Sequence, residues 1–472
     1  RPLYGDLVDI KPPLPYLLYA LAERMVGFGA SETFLLGLAS AWATLFGLYW
    51  LAAHAFGRWW LGIAAAAFWV ILGSDLYLQA NQPNTEVFIN AFMVCGIALL
   101  WTLPDRRVHA LRCVGIGVLF GCASLCKTVA IVPAVLLLLA QLIVERRDFM
   151  RVARQVAVIG ITMIALWLVT FAWLASTGTA AIAWQILVEY PAEYARITGE
   201  GPIGNILGAF SLGRLMPGFF MAHACLVLVC LVVTLLQFRN VPVVARMLAW
   251  AIGIFIAVAL PGQFTAHYYQ LWLPWLCVAL ALACEWIATV IGRSPTIIAN
   301  SLLFAFAIAW CAFRLWPQYR LDAVEWSIAK YKHTFVGTQE LGRRLGAQLK
   351  PAQSLFVFGV FPGMYEAAGR EPKSGVMNVW LALPRYGGSL SADLSSRVLA
   401  ELQSNPPDLI VLDAFTCFLA RSEDPAEQRE PIREWIGQNY RMSSDRFNYS
   451  IVVRGRAESE TAPADPCPAT TR

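Results

Sequence analysis

The residues able to do chemistry in this chain gather in short polar islands between long apolar runs. The first island is Asp9-Ile10-Lys11-Pro12-Pro13, preceded by Tyr4-Gly5-Asp6. A lysine followed by two prolines cannot open an ordinary membrane-spanning helix, because Pro removes backbone donors and fixes φ while the charge is costly in hydrocarbon. Residues 1–13 therefore read as an ordered loop at a membrane surface, with acids, a cation and an aromatic suited to a charged headgroup. The second island ends in Glu86, which follows a Pro-Asn-Thr turn and opens an apolar run. A carboxylate there either complements the helix N-terminal dipole, by ~0.3–1 kcal/mol, or orients and deprotonates a hydroxyl nucleophile. The third is Lys127, placed where one apolar run ends and the next begins. Such a lysine either snorkels to the boundary or binds an anion. The fourth, His267-Tyr268-Tyr269 with Pro274 beyond it, offers an imidazole that can donate to a phosphate or sugar oxygen. Interfacial tyrosines by themselves belong to an aromatic belt. His223 and Arg214 are weaker candidates. Between Trp184 and Arg196, Glu189, Tyr190, Glu193 and Tyr194 interleave acids with aromatics. That pattern fits a carbohydrate-binding surface and an amphipathic interfacial helix equally well.

The elements that must carry these residues are membrane helices. Of 472 residues, 58% are hydrophobic and only 14% charged, with net charge +5 and mean hydropathy +0.57. A soluble domain of this size carries nearly twice that share of charge, so the composition is that of a polytopic membrane protein. Nothing in it suggests a nucleic-acid partner. Apolar runs near spanning length fall at 33–56, 59–76, 85–102, 109–126, 128–145, 153–176, 218–238, 243–261, 268–291 and 297–316. Residues 14–28 are amphipathic and interrupted by Glu23 and Arg24, which reads as an interfacial helix.

Alternate loops then sort by charge. Arg58, Arg106, Arg107, Arg112, Arg146, Arg147, Arg151, Arg154, Arg239, Arg246 and Arg293 fall in one set, cytoplasmic by the positive-inside rule. Lys11, the turn 81–86, Lys127, the segment 177–217 and Pro261–His267 fall in the other, which faces outward. All four islands share that outer boundary.

After Trp316 the chain turns mixed and globular. Ser354–Phe361, Asp408–Asp413 and Tyr449–Arg454 read as buried strands, with helices near 335–349, 391–404 and 429–439. Strand–helix alternation predicts a small α/β domain with a mainly parallel sheet, on the outer face. It has no Gly-rich phosphate loop and reads as a structural or acceptor-binding cap. The domain plan is thus an outer loop with its interfacial helix (1–32), a membrane domain (33–316), an extracytoplasmic α/β domain (317–457) and a low-complexity tail (458–472) expected to be disordered. Nine of eleven cysteines lie in or beside apolar runs without metal-ligand spacing, and read as small packing residues. Cys417 and Cys467 alone lie beyond them, where a disulfide is open. The chain starts at Arg1 without a signal-like segment, so its beginning, with one further helix, is expected to be missing.

Taken in order, Tyr4-Gly5-Asp6, Asp9-Ile-Lys11-Pro-Pro-Leu14, Asn84-Thr85-Glu86, Gly121-Cys-Ala-Ser-Leu-Cys-Lys127 with Pro133, and Gly262-Gln-Phe-Thr-Ala-His267-Tyr268 with Pro274 carry a resemblance. The chain resembles GT-C class glycosyltransferases that use lipid-linked sugars, in particular bacterial members of the protein-mannosyltransferase and aminoarabinose-transferase superfamily (glycosyltransferase family 39-like). The Asp-x-Lys-Pro-Pro element is the most specific of these, and the match runs from residue 1 to about 316. The resemblance implies a bacterial inner-membrane enzyme that moves a sugar from a polyprenyl-phosphate donor, with inversion, to an acceptor hydroxyl on the periplasmic side. The acceptor would be a glycan, a lipid or a protein. It implies Lys11, Lys127, His267 and Tyr268 at the donor phosphate, and Glu86, Asp6 and Asp9 as the catalytic acids. Glu189, Tyr190 and Tyr194 would face the acceptor. The family's first acidic residue, usually in an Asp-Glu pair, would lie upstream of Arg1, which leaves the identity of the general base open. A divalent cation held by Glu86, Asp6 or Asp9 also stays open.

The chemistry is coherent on physical grounds. A sugar phosphodiester already has a good leaving group, so no strong general acid is required. A cation that stabilises charge on the departing phosphate and a carboxylate that takes the acceptor proton suffice. Lysine, a compact point charge, suits the first task. Apolar spans hold the prenyl tail at ~0.8 kcal/mol per buried CH₂. Two other readings stand beside this one. A flippase for a lipid-linked saccharide predicts polar residues along the bilayer midplane and internal repeats, neither of which is apparent. A non-catalytic scaffold would make the C-terminal domain the working part.

Overall fold

Over its described residues each of the ten apolar runs is helical, mostly α-helical, as a medium without hydrogen-bonding partners demands. The computed structural model describes residues 2–5, 7–76, 78, 84–103, 110–197, 199–209, 219–236, 240–292, 297–383, 388–413, 431–446 and 449–454. Asp6, Arg214, Cys417, Cys467 and the tail 458–472 lie outside the described residues, as does the side chain of His223. The helices up to residue 315 are α1 (Leu14–Val26), α2 (Ala30–Ala55), α3 (Trp59–Leu72), α4 (Thr85–Trp101), α5 (Ala110–Cys126), α6 (Ile131–Val144), α7 (Phe149–Ser176), α8 (Ala180–Trp184), α9 (Tyr190–Ile197), α10 (Gly201–Gly208), α11 (Phe219–Leu236), α12 (Val241–Ala259), α13 (Trp272–Gly292) and α14 (Ile297–Leu315).

Four helical stretches, Ser31–Ala55, Arg146–Ser176, Val241–Ala259 and Ala266–Val290, are long and apolar enough to cross a membrane. Other apolar helices are shorter, among them Trp59–Leu72, Thr85–Trp101, Ala110–Cys126 and Thr128–Val144. At ~1.5 Å per residue these reach roughly 21–26 Å, the low end of what hydrocarbon requires. Large apolar side chains such as Phe34, Trp42, Ile161, Leu168 and Val169 are exposed on outward helix faces. The chain is a multi-pass membrane protein.

The chain divides into two compact units. One comprises Lys11–Phe171 with Pro202–Leu321, and the other Arg1–Ile10, Ala172–Gly201 and Asp322–Arg472. In the first, α4 is the central helix, buried along almost its whole length between α2 and α5. Glycines set the closest approaches. A Cβ on Gly253 of α12 would come within 2.5 Å of Pro133 Cα in α6, so these backbones touch because one side chain is absent. The predicted interfacial helix is α1, which packs on α2 and α5 and turns Leu17, Leu21, Met25 and Val26 outward.

The second unit contains the α/β domain. Its helices are α15 (Ala323–Tyr331), α16 (Thr334–Gln348), α17 (Gly363–Ala368), α18 (Ser391–Ser404) and α19 (Pro431–Asn439), and its strands β1 (Leu355–Phe358), β2 (Leu409–Asp413), β3 (Tyr440–Arg446) and β4 (Tyr449–Arg454). The sheet order is β1-β2-β4-β3. The expected strands and helices are present, but the sheet is mixed rather than mainly parallel. Only β1 and β2 run parallel, while β4 is antiparallel to both β2 and β3. The reason lies in β3, whose sequence Tyr-Arg-Met-Ser-Ser-Asp-Arg carries no apolar run and is an edge strand. Two residues separate it from β4, and so short a connection can join only antiparallel neighbours.

Candidate functional site

Glu86 stands in the first turn of α4, after Asn84 in an extended conformation. It is 1% exposed, and both carboxylate oxygens are engaged. Lys127 Nζ donates to Oε1 at 2.7 Å, and Thr85 Oγ1 donates to Oε2 at 2.9 Å. The carboxylate also lies where the α4 dipole favours negative charge.

Lys127 owes its position to an unusually short connection. Helix α5 ends at Cys126, and a single 3₁₀ turn, Thr128–Ala130, leads into α6. Lys127 alone is extended (φ −160°, ψ 127°), its N–H donating to Ala123 O and its carbonyl accepting from Ala130 N–H. The side chain keeps 22% of its surface exposed while its partner keeps 1%. Within the pair the carboxylate is fully enclosed, and only the lysine side chain retains some exposure.

The Tyr268 ring covers that cation, with Lys127 Nζ 3.3 Å from the ring centroid. This is close cation–π geometry. His267 packs edge-on against Tyr268 with centroids 4.6 Å apart and planes at 81°. Both belong to the 3₁₀ segment Ala266–Leu271 that leads into α13. The turn before it uses left-handed backbone at Gly262 (φ 72°) and Phe264 (φ 48°). For a non-glycine residue that conformation costs on the order of 1–3 kcal/mol. Burial of Phe264 against Ala209 and Ala259 offsets it.

Glu86, Lys127, His267 and Tyr268, far apart in sequence, thus form one cluster. Lys11 is exposed at the entrance to α1. That helix reaches the start of α4 through Tyr19, whose ring meets Phe88 edge-on at 6.1 Å. Asp9 belongs to the other unit, where its Oδ1 accepts from the Ile10 N–H at 2.7 Å. The acceptor candidates belong there too. Glu189 is exposed at the end of a π-helical turn, Gln185–Glu189. Tyr190 is buried, which pushes its phenol pKa well up, and its ring lies 5.6 Å from Tyr194. Tyr194 in turn meets Trp380 at 6.4 Å. Glu193 accepts from both Ser389 N–H (2.9 Å) and Ser389 Oγ (2.6 Å), which fastens α9 to the α/β domain. Among the described residues no three His, Cys, Asp or Glu side chains converge as a metal-ligand set.

Two buried amides, Asn90 and Gln270, escaped the sequence reading. Asn90 Nδ2 donates to the Gln270 carbonyl at 2.9 Å, and Gln270 Nε2 donates to the Leu78 carbonyl at 2.7 Å. The available signal was spacing, since Asn90 lies four residues after Glu86, on the same face of a helix.

No family model matches the chain, and no curated protein matches it by sequence. Solved structures do match by fold. ArnT from Cupriavidus metallidurans bound to undecaprenyl phosphate superposes with a TM-score of 0.54 at 16% identity, covering 94% of this chain and 87% of that one. The apo state of the same protein gives 0.52 at 15% identity over 94% and 87%. The Archaeoglobus fulgidus oligosaccharyltransferase, tethered to an acceptor peptide, gives 0.52 at 15% identity, covering 97% of this chain and 67% of that one. The chain has the GT-C fold.

Proposed function

We propose that the protein is a membrane glycosyltransferase that moves a sugar from a polyprenyl-phosphate donor to an acceptor hydroxyl. The observation that carries this reading is the partly exposed Lys127 side chain, whose ammonium is seated on a buried carboxylate and against the Tyr268 ring. The fold likeness to a protein captured with undecaprenyl phosphate supports the donor class.

In the reaction the acceptor oxygen bonds to the anomeric carbon as the bond from that carbon to the phosphate oxygen breaks, with inversion. The proton leaves the acceptor for a carboxylate, and polyprenyl phosphate departs. Lys127 stabilises the charge that develops on the phosphate, more strongly in a water-poor boundary than in bulk. Glu86, with each oxygen already accepting, fixes the ammonium in place. Lys11 and His267 supply further donors to the phosphate. Asp6 and Asp9 are candidates for the carboxylate that takes the acceptor proton, and Glu189, Tyr190 and Tyr194 are candidates for acceptor contact. The arginine distribution along the chain supports an acceptor that arrives from the non-cytoplasmic, periplasmic side of a bacterial inner membrane.

The test is transfer by full-length protein in liposomes supplied with labelled polyprenyl-phosphate sugars, comparing wild type with Lys127→Ala. Removing one preorganised charge-stabilising donor costs about 10²–10³-fold in turnover, and that loss is the expected result. Undiminished transfer by Lys127→Ala would overturn the site. Absence of transfer by wild type from every donor would move the assignment to a flippase.

A further inference from the structure

We infer that Asn90 and Gln270 are positioning residues that hold Tyr268 over Lys127, an inference that rests on Lys127 receiving the donor phosphate. Helix α4 presents Glu86 and Asn90 one turn apart. Glu86 grips Lys127 from the α5–α6 connection, and Asn90 grips the Gln270 carbonyl in the 3₁₀ segment that carries His267 and Tyr268. One helix face therefore fastens both halves of the cation–π contact.

Gln270 adds a second tether. Its side chain crosses to the Leu78 carbonyl in the connection between α3 and α4, so both the backbone and the side chain of this residue are tied. Asn90 and Gln270 are 4% and 1% exposed, and a buried amide is costly unless its hydrogen bonds are made. The wall around Asn90 is otherwise apolar, with Met93, Pro133 and Leu271 lining the same small cavity. General packing there would be served better by Leu. The amide is explained by the carbonyl it holds. Tyr268 lies two residues before Gln270, too near for the ring to keep its place if that carbonyl moves.

The mechanistic consequence is specific. Lys127 keeps its ion pair with Glu86 when the amide tethers are cut, but it loses the cover that directs the ammonium. Donor affinity rests mainly on the prenyl tail, so the loss falls on kcat and little on KM.

The experiment uses full-length protein in liposomes with a polyprenyl-phosphate sugar that wild type transfers. Gln270→Leu, Gln270→Met and Asn90→Leu are assayed alone and in a Tyr268→Ala background, with unfolding temperature and monodispersity recorded. Gln270→Met keeps the unbranched shape and nearly the volume while removing the donor, so it covers the case in which a Leu variant does not fold. The expected result is roughly a tenfold fall in kcat with donor KM nearly unchanged, shrinking to about twofold or less in the Tyr268→Ala background. A fall of equal size in both backgrounds, or kcat equal to wild type, would overturn the inference while wild-type transfer left the proposed function standing. If wild type transferred nothing, the proposed function itself would fall, and this inference with it.

Discussion

At one end of α6, Lys127 meets Glu86. At the other, Glu145 meets Arg246 of α12 at 3.0 Å, with Gln141 accepting from the same guanidinium at 3.1 Å and Arg151 3.9 Å from the carboxylate. Both pairs join elements distant in sequence, yet their surroundings differ. Glu145 and Arg246 share their exposure, 28% and 16%, and their charges cancel in view of solvent. Glu86 and Lys127 divide theirs 1% to 22%, and an aromatic ring covers the exposed partner. Glu145 also stands at the α6 C-terminus, where the helix dipole disfavours an anion and the arginines offset it. Glu86 stands at an N-terminus, where the dipole helps. An ion pair thus fits a fastener when both members keep comparable exposure, and a binding element when the carboxylate is wholly hidden beneath its partner.

Exchanging the partners gives the sharpest break between the two pairs. Lys127→Glu combined with Glu86→Lys restores the attraction but buries the cation and exposes the anion. Transfer should stay about 10²-fold or more below wild type even where the protein folds. Arg246→Glu with Glu145→Arg should keep transfer within about threefold, because a fastener has no required polarity. Recovery of transfer in the first exchange would remove the distinction.

A smaller effect tests the aromatic cover. A cation–π contact is worth ~0.5–2 kcal/mol, so Tyr268→Ala should slow transfer by roughly tenfold. Tyr268→Phe, which keeps the ring, should remain near wild type. Equal losses in both would transfer the role from ring to hydroxyl. The smallest effect belongs to Arg246→Ala, expected to lower stability by about 1 kcal/mol. Thermal unfolding in detergent would show that shift, with transfer per folded molecule unchanged.

Much of this arrangement is legible in the residues. Ten apolar runs become helices because hydrocarbon leaves the backbone no other partner. Lys127 and Glu86 stand out because a charge at the edge of an apolar run is costly and needs a reason. Their pairing does not stand out, since 41 residues separate them and only the packing of α4 against α5 brings them together. Asn90 and Gln270 resemble ordinary polar interruptions until the carbonyls they hold are known. Strand β3 is illegible for the opposite reason, because its polar sequence has no core to fill and its neighbour β4 decides its conformation.

The one-residue link between α5 and the 3₁₀ turn that leads into α6 also bears on how such a chain can evolve. Lys127 is the whole extended link between Cys126 and the turn at Thr128, and both flanking helices are packed into the core. An inserted residue would swing the ammonium off Glu86, and a deletion would remove it. Length variation among descendants of this sequence should therefore accumulate in other connections and leave 126–128 untouched. The position behaves as a fixed point about which the rest of the chain is free to drift.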